Sequence, residues 1–180
     1  MGVNTRILLE RNNALKNHNE IFLLAGLLRQ QPLYDDYGLT VGGDIVASQM
    51  TVADGAVAKT GGNVVDSQID NNGTTDVGGS VKDSEMLTGE SGKTSIEENV
   101  EGSVFENRGE QSVGEDVIGS ELVNAATGNL NIGGNMVGSA AELGGDAAVV
   151  GNVEDSDLLI IGSGETSVGG NVDNTNISVD

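Results

Sequence analysis

One nine-residue pattern returns eight times along this 180-residue chain, and it decides what the chain can fold into. The copies read GGDIVASQM from Gly42, GGNVVDSQI from Gly61, GGSVKDSEM from Gly78, EENVEGSVF from Glu97, GEDVIGSEL from Gly114, GGNMVGSAA from Gly133, VGNVEDSDL from Val150 and GGNVDNTNI from Gly169. Their starts lie 19, 17, 19, 17, 19, 17 and 19 residues apart. A unit of this length, with short apolar stretches cut by Gly, is too short for a helix pair and cannot bury a core alone. It must stack. The fold class this predicts is mainly β, a parallel β-solenoid with one unit per coil, equivalent residues above one another at about 4.8 Å and each strand paired with the coils on either side. Eight coils, the last incomplete, make a rod of roughly 35 to 40 Å on that spacing. Parallel crossovers favour right-handed coiling.

Alignment of the copies yields the inward columns. The fourth position is Ile45, Val64, Val81, Val100, Val117, Met136, Val153 and Val172, and the ninth is Met50, Ile69, Met86, Phe105, Leu122, Ala141, Leu158 and Ile177. The last residue of each full coil is Thr60, Val77, Ile96, Val113, Ile132, Val149 or Val168. Three apolar columns imply a three-sided section with short strands. Turns fall between them, with the opening GGN expected to supply positive φ from Gly and backbone-bonding side chains from Asn or Asp.

Two further features follow from the alignment. Six of the seven complete coils carry Gly four places before their end (Gly73, Gly92, Gly109, Gly128, Gly145, Gly164), so the two extra residues of the longer coils fall just after the ninth position. Longer bends are therefore expected on alternate coils, at TVADG, LTGES, VNAAT and LIIGS. The seventh position is Ser48, Ser67, Ser84, Ser103, Ser120, Ser139, Ser156 and Thr175. A hydroxyl stacked at one corner suits backbone satisfaction better than catalysis.

Residues 1–41 are a different object. They hold four basic and four acidic residues, whereas residues 42–180 carry 24 acids against Lys59, Lys82, Lys93 and Arg108 and so account for the net charge of -20. From a capping Asn4 or Thr5, a helix is expected over Arg6 to about Gln31, stopped by Pro32. Its apolar residues fall in two columns at heptad spacing, Ile7, Ala14, Ile21, Leu28 and Leu8, Leu15, Phe22. Such a stripe serves either a partner helix or the chain's own body; Ile7, Leu8, Leu15, Ile21, Phe22 and Leu28 are the candidate anchor and oligomerisation residues. The domains expected are thus a helical anchor, 1–41, and an acidic shaft, 42–180. Residues 1–20 lack the uninterrupted apolar stretch and small-residue cleavage site of a secretory signal, and no stretch reaches the length of a membrane span.

Chemistry has few candidates. There is no Cys, hence no disulfide, thiolate or thiol nucleophile, and His18, the one histidine, sits among Asn residues on the expected helix. A glycan-cleaving carboxylate pair would want aromatic platforms, and Phe105, the one aromatic residue of the repeat region, is assigned to the core. The GGN-rich acidic turns resemble calcium-binding nonapeptide solenoids, but those read GGxGxDxUx and this chain carries Val where the third Gly should stand. The expectation is no catalytic residue, no metal site and no cofactor, with weak divalent-cation binding to the acidic surface. So large a negative charge repels phosphate backbones, which excludes nucleic acid as a partner except by mimicry of it.

A short apolar N-terminal segment followed by a Gly- and Val-rich β-solenoid, without Cys or signal peptide, resembles the fibres and spikes of tailed bacteriophages. The resemblance covers the whole chain at the level of architecture. It implies a homotrimer, fixed by residues 1–41 to a capsid or tail protein and projecting residues 42–180 toward a host-surface ligand, in a virion whose parts are made in the host cytoplasm. The other readings are a leaderless bacterial surface or matrix protein that polymerises through its exposed coil end, and an acidic DNA-mimicking solenoid.

Overall fold

The computed structural model describes residues 38–180 in full, together with the backbone of the strands Ile21–Leu23, Leu28–Arg29 and Pro32–Asp35. The repeat folds as a parallel β-solenoid. Each coil contributes one strand to each of three sheets, numbered I to III in the order the chain visits them. In the coil from Gly61 these strands are Val64–Val65, Gln68–Asn71 and Thr74–Val77. Every pairing is parallel and joins equivalent positions, as in Val64 to Val81 to Val100 on sheet I and Ile69 to Met86 to Phe105 on sheet II. From residue 42 the chain completes seven coils and begins an eighth, which ends on Asn176–Val179.

The three expected columns point inward. Ile45 to Val153 in the fourth, Met50 to Leu158 in the ninth and Thr60 to Val149 in the last are all buried, and with their neighbours they form one continuous core. Phe105, the largest buried side chain, lies in register between Met86 and Leu122. In the eighth coil Val172 and Ile177, at the same positions, are exposed.

Two more inward columns exist because sheets II and III have four-residue strands, on which alternate side chains face the same way. One is Val52, Asn71, Thr88, Asn107, Asn124, Leu143 and the other Ala58, Thr75, Thr94, Gln111, Leu130, Ala147, all buried. The Asn side chains and Thr94 are admitted because they bond across the corner between these sheets. Asn71 donates through Nδ2 to Thr94 Oγ1 and to the Lys93 carbonyl, both at 2.9 Å. Asn124 donates to the Asp146 carbonyl at 2.9 Å. Amides of Gly73 and Gly109 return the bond to Oδ1 of Asn71 and Asn107.

Four details depart from the sequence reading. Positive φ belongs to the sixth position, not to the opening glycines: Ala47, Asp66, Asp83, Gly102, Gly119, Gly138, Asp155 and Asn174 all have φ between 47° and 58°. The opening pair is Gly because the coils approach closely there; a Cβ on Gly134 would stand 2.3 Å from Asp116 Oδ1. That oxygen accepts the Asn135 amide at 2.6 Å, one link of a third-position ladder that includes Asn63 to Ser80 and Asn135 to Asn152. The two extra residues of the longer coils come after the eleventh position, in tight turns such as Ala125 to Gly128, where the Gly128 amide donates to the Ala125 carbonyl at 2.8 Å.

The fourth departure concerns the expected helix. Within its span, Ile21–Leu23 and Leu28–Arg29 are strands, paired with Leu39–Val41 and Ile45–Val46, and Pro32–Asp35 pairs with Gln49–Val52. The sheets thus run back past the first recognised copy of the repeat. The physical reason is registry: Gly26, Leu28 and Leu33 stand 17 residues before Gly43, Ile45 and Met50, so a short apolar run that reads as a helix face also fits the ladder. The remainder of the expected helix, its Asn4 or Thr5 cap and residues 6–20, 24–27 and 30–31, lies outside the described residues.

Candidate interaction surface

The seventh-position hydroxyls form a closed ladder. Ser84 Oγ donates to the Lys82 carbonyl at 2.7 Å and accepts the amide of Ser67 in the preceding coil at 3.1 Å. Ser103, Ser120 and Ser139 repeat both bonds. These oxygens are occupied by backbone groups, and the corner needs them because the left-handed residue before each Ser turns the chain away from sheet pairing.

Outside that ladder, at the corner between sheets I and II, runs an open groove of about 1010 Å³, edged by Asp66, Asp83, Gln49, Gln68, Glu85 and Val104. Its amides are partly engaged with each other: Gln49 donates to Gln68 at 2.7 Å and Gln68 to Glu85 at 3.1 Å. Among the described residues no group of three or more His, Cys, Asp or Glu is gathered so as to hold a metal ion. No helix there is long and apolar enough to cross a membrane.

Charge is organised by the register. Lys59 pairs with Asp76 at 3.5 Å, Lys82 with Glu101 at 3.0 Å and Lys93 with Glu110 at 2.6 Å, each acid being the ladder partner of its lysine in the next coil. Arg108 pairs with Glu106 on its own coil. All four basic side chains of the repeat region are thereby taken up. Residues 109–180 hold 12 acids and no Lys or Arg, so the far part of the rod is a purely anionic surface.

Of the candidate anchor residues, Ile7, Leu8 and Leu15 lie outside the described residues, as does His18. Ile21 and Phe22 are ladder partners of Leu39 and Thr40, and Leu28 of Ile45. Comparison of the chain with protein-family models, curated proteins and solved structures finds no match. The fold itself is a repeat β-solenoid, and what it presents outward carries the functional reading.

Proposed function

We propose that this chain is a non-enzymatic structural protein of a virion, a fibre or capsid-decoration appendage that uses residues 1–20 for attachment and the solenoid, which takes in strands from Ile21 onward, as a projecting shaft. The observation that carries the reading is the axial pairing of the three sheets, continuous from their first strands to their last. Three parallel sheets, the Ser ladder and the third-position Asn and Asp ladder all run along one direction, which suits a rigid spacer. Each sheet has nine strands, so the shaft is about 38 Å long at strand spacing. Its acidic surface opposes aggregation of so edge-rich a body. The test is electron microscopy of particles from a producing culture, decorated with an antibody raised against residues 42–180. Label at a constant position on the head or tail is expected; label confined to cell surfaces or matrix would overturn the proposal.

A further inference from the structure

The outer face of sheet II carries a pattern with twice the period of the coil. Its two outward columns are the eighth and tenth positions. From the coil of Gly78 to that of Val150 the longer coils read Glu85 and Leu87, Glu121 and Val123, Asp157 and Leu159, and in the shorter coils between them the order inverts to Val104 and Glu106, Ala140 and Glu142. The register places Glu85 beside Val104, Val104 beside Glu121, Glu121 beside Ala140 and Ala140 beside Asp157, and in the other column Leu87 beside Glu106, Glu106 beside Val123, Val123 beside Glu142 and Glu142 beside Leu159. Acid and apolar residues therefore alternate in both directions over five coils. Like charges in one column are two coils, about 9.6 Å, apart.

The apolar members form a zigzag stripe along the rod, flanked at each step by carboxylates. The stripe is not level. Val104 stands 45% exposed, whereas Ala140, at the equivalent place two coils on, leaves an open depression of about 390 Å³ edged by Val123 and Leu159 and by Glu121, Glu142 and Asp157. A basic residue of another protein fits this shape: its aliphatic stem covers Ala140, Val123 and Leu159 while its cationic head meets the three surrounding carboxylates. A second copy's same face does not fit, because it brings carboxylates to carboxylates. The sheet III face lacks the pattern, offering Asn129, Asn131, Asp146 and Ala148 in the corresponding coils.

We propose that the outer face of sheet II around Ala140 is a docking surface for an extended segment of a partner protein that carries Lys or Arg and apolar residues in turn at every second position, so that both kinds meet this face. This stands apart from the virion reading, since it concerns which chemistry the shaft accepts and not where the shaft is mounted. The test uses the full chain and three synthetic peptides of equal length: a Lys and Leu peptide repeating Lys-Ser-Leu-Ser, a Lys and Ser peptide repeating Lys-Ser-Ser-Ser, and a Glu and Leu peptide repeating Glu-Ser-Leu-Ser, each with a fluorophore for anisotropy. Two triple variants remove the same charge: Glu121→Gln, Glu142→Gln, Asp157→Asn on the face, and Glu115→Gln, Glu165→Gln, Asp173→Asn away from it. The Lys and Leu peptide is expected to bind tightest, to lose about tenfold in affinity with the face triple and to stay within about twofold with the control triple. Ala140→Gln, which fills the depression without changing charge, is expected to weaken the same peptide, with an unchanged melting temperature showing that the coil is intact. Equal losses from both triples, or equal binding of the Lys and Ser peptide, would reduce the effect to general attraction by an acidic protein and overturn the proposal.

Discussion

Asn107 donates through Nδ2 to Oδ1 of Asn124, 2.8 Å away in the next coil, and both side chains are buried. Asn107 also donates to the Asn129 carbonyl at 3.0 Å, so it ties two coils together from inside the core. Asn107→Ala leaves an acceptor and a carbonyl short of a donor, and is expected to cost about 2 to 3 kcal/mol in urea unfolding. A double-mutant cycle with Asn124→Ala should show coupling of about 1 kcal/mol. Simple additivity would mean that the pair does not bind the coils.

Two glycines ten residues apart should behave in opposite ways. A Cβ on Gly109 would stand 2.3 Å from the Gly92 carbonyl oxygen and 2.4 Å from that of Gly89, with backbone on both sides. Gly109→Ala should therefore destabilise by more than about 2 kcal/mol or prevent folding. Gly119 has φ of 55° but nothing within 4 Å of its added Cβ, and Asp155 and Asn174 already occupy the same position at φ of 51° and 47°. Gly119→Asn is expected to stay within about 1 kcal/mol of the parent, because Asn tolerates the left-handed region. Thermal melts of the two variants decide the matter.

Gln111 is buried between Thr94 and Leu130 in its column, and neither of its side-chain polar atoms has a partner among the described residues. Burying an unsatisfied amide costs about 1 to 3 kcal/mol. Gln111→Leu, which repeats the Leu130 of the next coil, should raise the melting temperature. A lowered one would show that the amide is satisfied in solution.

The four ion pairs are partly exposed, and each is expected to contribute about 0.2 to 1 kcal/mol. Repulsion within a body of net charge -20 outweighs them. Raising the ionic strength from about 0.01 M to about 1 M, which shortens the screening length from about 30 Å to about 3 Å, should increase the melting temperature. A decrease would mean that the pairs dominate.

What could be read in advance depended on side-chain type. The fourth, ninth and last columns are apolar and repeat in phase, so they stood out without a structure. The Asn71, Thr88, Asn107, Asn124 column did not, because the same residue types populate surface turns and nothing in the pattern says that they bond to one another inside. The left-handed sixth position was masked by its mixed occupancy, Ala47 and Asp83 alongside Gly119. Ile21, Phe22 and Leu28 are apolar enough to suit either a helix stripe or a coil, and strand pairing with Leu39, Thr40 and Ile45 places these three in the coil. The sheet II pattern was present in the aligned copies, but it needs the register of both outward columns before Glu121, Ala140 and Asp157 are seen to be neighbours.

A proposed trimer, joined through residues 1–20, fixes the mass of the intact chain in solution. Light scattering of the full-length protein is expected to give three times the 18.3 kDa chain mass, falling to a single chain when residues 1–20 are removed. A monodisperse monomer of the full-length chain would contradict it.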